Sequence, residues 1–454
     1  MIRRAALVLA AAALCVAAWS PGSGVATPAG SFSTASVGSA FVSALARGDF
    51  VSSEEMEDGQ MRAAAPAAQL SSIWQGFVSQ YGAFDSVGPV STASDPPYTI
   101  AIVSTQFANY LVGLQVTVDA AGEVAGLFVG SAVAGGPSAS VAPASYVQPG
   151  SFTETDVTVG ATPWSLPGTL TMPTGPGPFP AVVLVAGSGP EDRDETFGPN
   201  KPLQDLARGL ASAGIAVLRY DKRTLVYAKQ MAADESGLTV RQETTDDALA
   251  AIALLRETPK VDPARVFLLG HSLGAYLAPR IAAQAPGELR GLVLLEANST
   301  PLTQLILLQE QYLASLGNSP SPQVEQQLAT LKAQVALAES PSLSPSTPAS
   351  ELPLNTPASY WLDLRTYDPL ATAAGLGLPM FFSQGGRDYQ VPPSELQGWE
   401  TALVGRANMT FRTYPTMDHL LLDGSGPPTP AEYSVPGHVD PQLMADVAAW
   451  ILQQ

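Results

Sequence analysis

In the run RVFLLGHSLGAYLAPR, residues 265–280, Ser272 stands between Gly270 and Gly274. A serine hydroxyl is a weak nucleophile at neutral pH. It needs a base within hydrogen-bond reach and a carboxylate that orients the base. The spacing G-x-S-x-G also arises by chance, so its setting decides. RVFLL reads as a buried strand and LGAYLAPRIAA as a helix. A serine on so sharp a turn projects from the strand's carboxyl end, and the helix N-terminus behind it favours negative charge.

The chain has three histidines, which makes the search for a base short. His271 adjoins the serine and reads as a turn-packing residue. His438, in VPGHVD before the last helix, reads as a surface or helix-entry contact. His419 follows the strand-like MTFRTYP, in the loop TMDHLLL late in the chain, and is the expected general base. The acid is expected between serine and base in chain order. Asp388, in FFSQGGRDYQVP, follows an apolar strand in a glycine turn and fits; the competing carboxylates are Asp363, Asp368 and Asp418. Oxyanion donors are expected at the N–H of Leu273, directly after the nucleophile, and in the loop GSGPEDRDE, at Ser188 with Gly189 as the alternative.

No metal or cofactor is expected. The histidines lie apart and a single cysteine offers no ligand pair. GSG lacks both the Lys-Ser/Thr of a phosphate loop and the spacing of a dinucleotide fingerprint. With 46% hydrophobic and 14% charged residues, neither a disordered chain nor a coiled coil fits. A net charge of −18 argues against nucleic acid and anionic lipid surfaces as partners.

Residues 1–26 read as an export signal: Arg3 and Arg4, then a short apolar run, then small residues. Cys15 lies within it, and Leu14 is a poor residue before a lipoprotein cut. The expected location is therefore secreted or cell-envelope, without stable membrane association after cleavage. Residues 35–130 carry helical spacing and then alternation, a small α+β domain; SSEEMEDGQ, 52–60, reads as a solvated acidic face. Residues 131–150 are a Gly/Pro/Ser/Ala-rich linker. From 151 to 454 a hairpin is followed by apolar strands alternating with helices, as in a doubly wound, mostly parallel sheet. Residues 301–360 interrupt the alternation with two amphipathic helices and a Ser/Pro-rich loop, an expected lid.

The segments GSGPEDRDETFGPNKP, GIAVLRYDKR, LLGHSLGA, SYWLDLRTYDP, QGGRDYQV and DHLL resemble, in this order, the α/β-hydrolases. The likeness is to the bacterial carboxylesterase branch near the serine aminopeptidase-like and dienelactone hydrolase-like members. The N-terminal module resembles NTF2-like or cystatin-like domains. The resemblance implies Ser272 as nucleophile, Asp388 as acid, His419 as base and a small-molecule ester as substrate. Ala186-Gly187 departs from the His-Gly of many relatives. YDKR is a branch signature by the same resemblance, and Asp221 with Arg223 is expected to form a structural ion pair. EDRDE, 191–195, reads as a solvated charged loop. Two rivals remain: an exopeptidase, whose α-ammonium site would need carboxylates such as Glu310, Glu325 or Glu351, and a catalytically silent binding protein.

Overall fold

The computed structural model describes residues 33–454 apart from 96–97, 109, 135–142, 233–236 and 317–321. The expected export signal lies outside these residues, as does part of the expected linker. The chain forms two compact units, one of the described residues up to Ala142 with Tyr433–Pro436, and a second made of Pro143–Glu432 and Gly437–Gln454.

The first unit runs α1 (Thr34–Ala46), α2 (Phe50–Glu55), α3 (Gly59–Ala64), α4 (Ala67–Tyr81), β1 (Phe84–Asp95), β2 (Tyr98–Phe107), β3 (Tyr110–Val118) and β4 (Val124–Ala134). The strands form an antiparallel meander in sequence order, so the expected α+β arrangement holds. The turn between β3 and β4 closes because the Asp119 carboxylate accepts the N–H groups of Ala121 and Glu123. Phe41, Leu45, Leu70, Trp74 and Phe107 fill the core. The acidic stretch at 52–60 is not simply a solvated face. Asp49 and Asp58 cap α2 and α3. Glu57, however, is fully buried, and neither carboxyl oxygen has a partner among the described residues. Burial, then the charge of Glu54, push it up to about 7. A bridge between Glu57 and Val124 fixes the backbone there, so the side chain follows it inward.

The second unit opens with the hairpin β5 (Phe152–Val159) and β6 (Leu166–Pro173). It continues β7 (Phe179–Val185), α5 (Pro202–Ser212), β8 (Ala216–Tyr220), α6 (Arg223–Val226), α7 (Ala228–Ala232), α8 (Asp246–Glu257), β9 (Val261–His271), α9 (Leu273–Gln284) and β10 (Gly291–Leu295). Then come α10 (Leu302–Ser315), α11 (Pro322–Glu339), α12 (Ala358–Arg365), α13 (Pro369–Gly375), β11 (Met380–Gly385), α14 (Ser394–Ala402), β12 (Met409–Tyr414) and α15 (Pro441–Gln453). The eight strands lie in the order β12-β11-β10-β9-β7-β8-β6-β5; β6 is antiparallel to both its neighbours, β5 and β8, and the other pairs are parallel.

The apolar runs explain the layers. Alternate residues of a strand face opposite sides. On β7, Ala181, Val183 and Val185 join α8 and α9 in one core. Val182 and Leu184 join α5 and α15 in the other. A sheet covered on both faces needs the unbroken apolar strands seen here.

Asp221 and Arg223 do not pair with each other. Asp221 takes Arg193, at 2.8 Å, and Arg223 takes Asp247 on α8. At the end of β8 the chain turns into α6, so neighbours in sequence point to different layers. Lys222, between them, is buried against Glu243 at 2.7 Å.

Candidate active site

Parallel strands that all end at one edge deliver their following loops to one place. β7 leads into Gly187-Ser188, β9 into Ser272, β10 into Glu296, β11 into Asp388 and β12 into His419.

Ser272 has φ +51° and ψ −118°, a left-handed backbone that non-glycine residues rarely adopt. Its N–H is anchored on Leu295 O at 2.9 Å. The flanking glycines have a steric cause. A Cβ on Gly270 would lie 2.3 Å from the Gly274 carbonyl, and one on Gly274 would lie 2.2 Å from Val185 O. Strand, turn and helix approach too closely there for any side chain. Leu273 begins α9, so its N–H has no acceptor within the helix and points out of the first turn.

His419 and Asp388 meet: Nδ1 of His419 donates to Asp388 Oδ2 at 2.7 Å. Asp388 Oδ1 accepts the N–H groups of Gln390 (2.7 Å) and Val391 (2.9 Å), which fixes the carboxylate. With Nδ1 donating, Nε2 of His419 is the basic nitrogen. Burial, then the charge of His271, hold His419 well below the usual imidazole range. Ser272 Oγ makes no hydrogen bond to His419 among the described residues; in resting sites this bond is often long and tightens with substrate. The competing acids are engaged elsewhere. Asp363 pairs with Arg280 at 2.5 Å, Asp368 caps α13, and Asp418 accepts from Leu422 N. His438 bonds Asp205 on α5 at 2.8 Å, a contact at the entry to α15.

Two expectations need correction. His271 is more than turn packing. Its Nδ1 lies 2.9 Å from Glu195 Oε2 and its Nε2 2.8 Å from the carbonyl oxygen of His419. EDRDE is not a solvated loop: Asp194 and Glu195 are buried, and Arg193 pairs with Asp221. Asp194 accepts from Arg219 and Lys201. Glu195 Oε1 accepts the Gly187 N–H at 2.6 Å. Buried cations on β8 and behind it draw this acidic loop inward, because a buried charge needs a partner.

The Gly187 peptide is held on both sides, since its carbonyl accepts from Lys222 Nζ at 2.6 Å. With its N–H committed to Glu195, Gly187 cannot donate to an oxyanion. Of the two residues expected to donate from this loop, Ser188 is exposed and Gly189 has φ +102°.

Glu296 was not foreseen. It is fully buried at φ +54° and accepts from Ser383 Oγ, Gln384 Nε2 and Gly385 N. Burial, then the neighbouring Asp388, raise it well above the carboxylate range. Burial also raises Asp388, to about 7. Burial beside Asp388 thus favours the neutral acid at Glu296. The signal was a glutamate ending the buried run GLVLLEA.

The sheet order, the serine turn and the buried imidazole–carboxylate pair together define a class. Residues 201–424 match a family described as "Serine aminopeptidase, S33", and the chain belongs to the α/β-hydrolase family. Residues 39–127 match a family described as "Protein of unknown function (DUF3887)". A curated relative, Esterase EstD of Thermotoga maritima, is 38% identical over 413 residues, covering 91% of this chain and 94% of the relative. Among solved structures, Est1E from Butyrivibrio proteoclasticus is 15% identical, with a TM-score of 0.42 over 66% of this chain and 98% of that one. A puromycin-hydrolyzing peptidase of Mycobacterium tuberculosis is 17% identical, with a TM-score of 0.43; the match covers 82% of this chain and 47% of the peptidase.

Proposed function

We propose that this protein is an exported serine carboxylesterase working through Ser272, Asp388 and His419. The observation that carries the reading is the buried His419–Asp388 hydrogen bond at the same sheet edge as a serine with a left-handed backbone. The 38% identity to an esterase over nearly the whole chain supports the ester as substrate class.

Ser272 Oγ attacks the ester carbonyl carbon while His419 Nε2 takes the hydroxyl proton. The oxygen that gains charge receives the N–H of Leu273 and that of Ser188 or Gly189; one such donor is worth about 10²–10³ in rate. The tetrahedral intermediate collapses, the C–O bond to the alcohol breaks, and the imidazolium gives its proton to the departing alkoxide. Water repeats the sequence on the acyl-enzyme, with the same base taking its proton, and releases the acid. Asp388 holds the imidazole tautomer and stabilises its charged form.

The helical segment at 301–360 supports a lid. Gln309 on α10 donates to Gln390 O at 2.9 Å, and Tyr312 stacks on Tyr389, 5.1 Å between centroids, so α10 packs on the loop that carries Asp388. Export is supported by the N-terminal sequence pattern. Among the described residues no helix is long and apolar enough to cross a membrane.

The description of the matched family favours a second reading, aminopeptidase activity. That task needs ionised carboxylates near the substrate. Glu310 is pushed up by burial, towards the neutral acid, and Glu325 and Glu351 are exposed. Purified protein should hydrolyse p-nitrophenyl butyrate and be labelled by a fluorophosphonate, with both lost in Ser272→Ala. Faster cleavage of an aminoacyl p-nitroanilide would replace esterase by peptidase, and absence of labelling would end both readings. Mass spectrometry of protein recovered outside the cytoplasm, with its first residues missing, tests export.

A further inference from the structure

We infer that Glu195 and His271 form a salt-bridged crosspiece that positions the oxyanion loop and the general-base loop on the nucleophile turn. This rests on the reading of Ser272, His419 and Ser188 or Gly189 given above.

The hydrogen-bond inventory comes first. With Glu195 held ionised, both ring nitrogens of His271 face oxygen atoms that only accept, Glu195 Oε2 at 2.9 Å and the His419 carbonyl at 2.8 Å. A neutral imidazole has one donor and would leave one of these contacts acceptor to acceptor. Two donors require the imidazolium. Glu195 is its counterion, and its other oxygen accepts the Gly187 N–H at 2.6 Å. Both side chains are buried, so the pair is shielded from solvent screening.

One ion pair thus ties three separate strand ends. His271 is the residue before the nucleophile. Its Nε2–H holds the backbone of the proposed base, 148 residues away in sequence. Through Glu195 it holds Gly187, next to the second oxyanion donor. The two imidazoles lie 4.9 Å apart between centroids, so His271 also acts on His419 through space. The charged or titratable groups facing His271 are Glu195, His419, Glu296, Asp388 and Glu191. Burial alone would push His271 down; the charge and hydrogen bond of Glu195 overcome it and raise the ring to about 9. Neither side chain reaches the reacting atoms, so both are positioning residues.

The test compares Glu195→Gln, His271→Gln and the double variant with the wild type on p-nitrophenyl butyrate, each rate normalised to sites titrated by fluorophosphonate. Misplacement of catalytic groups by about 1 Å costs roughly 10² in rate. Each single variant should therefore lose about 10- to 100-fold in kcat with little change in KM. The double variant should be no worse than the worse single, because both remove one device. In His271→Gln a cation is lost beside His419 while Glu195 remains, so the acidic limb of kcat/KM should move to higher pH. Losses that multiply in the double variant, or singles within about twofold of wild type with an unmoved acidic limb, overturn the proposal. Should the variants not fold, histidine NMR on the wild type decides: a neutral ring at 271 at pH 7.5 overturns it. Wild type that turns over and labels while the variants match it defeats this inference alone; wild type that does neither defeats the esterase reading and this inference with it.

Discussion

Replacing Gly274 by alanine adds a single methyl group to the buried start of α9. The new Cβ would lie 2.2 Å from Val185 O and 2.7 Å from Ala186 O. Ordinary contact begins at 3.4 Å, so the helix start and the end of β7 must separate by about 1.2 Å. The neighbours are backbone atoms of the central strands, and no flexible side chain can yield in their place. The movement displaces the Leu273 N–H, and the loop after Gly187 that carries the second proposed oxyanion donor, relative to Ser272. A shift of this size costs roughly 10² in kcat. Overpacking a well-packed core adds about 1–3 kcal/mol of lost stability. The assay is kcat and KM on p-nitrophenyl butyrate per phosphonate-titrated site, with thermal melting alongside. Gly377→Ala is the control, since a Cβ there meets nothing within 4 Å. If Gly274→Ala keeps kcat within about threefold of wild type, the close approach of β7 and α9 does not set the site geometry and the reasoning fails.

Three further outcomes follow from other parts of the molecule. Asp388→Asn should keep the fold but lose about 10⁴ in kcat, because an amide favours the wrong tautomer of His419; a loss under tenfold, read by the same assay, would remove Asp388 from the triad. Glu296→Gln should keep kcat/KM within about threefold, since the carboxyl it replaces already carries a proton; a large loss would mean that Glu296 acts as an anion. Glu57 is raised in the folded state, so the folded protein binds the extra proton, and stability falls as pH rises from the ordinary carboxylate range through about 7. Glu57→Gln should therefore melt above wild type at pH 8 and near it at pH 4.5, in scanning calorimetry; an equal gap at both values would refute the buried acid.

Much of the second unit could be read from its apolar runs. β7, β10 and β11 are buried along nearly their whole length, and only a sheet covered on both faces accommodates such segments. The serine turn was legible because strand, two glycines and helix occur in fixed order. The pairing of His419 with Asp388 followed from chain order after strands. Charge pairing was less legible. Asp221 and Arg223 are close in sequence with opposite sign, yet Arg193 and Asp247 take them, from elements brought near by the fold. Glu195 and Glu57 looked solvated because acidic runs usually are. Their burial depends on what packs above them, which one-dimensional spacing does not encode.

Tyr360 closes the stretch between β10 and β11 that contains the two long helices. Its hydroxyl donates to Glu243 Oε2 at 2.7 Å, Glu243 pairs with Lys222, and Lys222 holds the Gly187 carbonyl. A relay of three side chains therefore runs from the root of the helical segment to the peptide beside Ser272. Chimeras that exchange the helical segment between family members can alter turnover without touching the substrate, depending on which side of this tyrosine the junction falls.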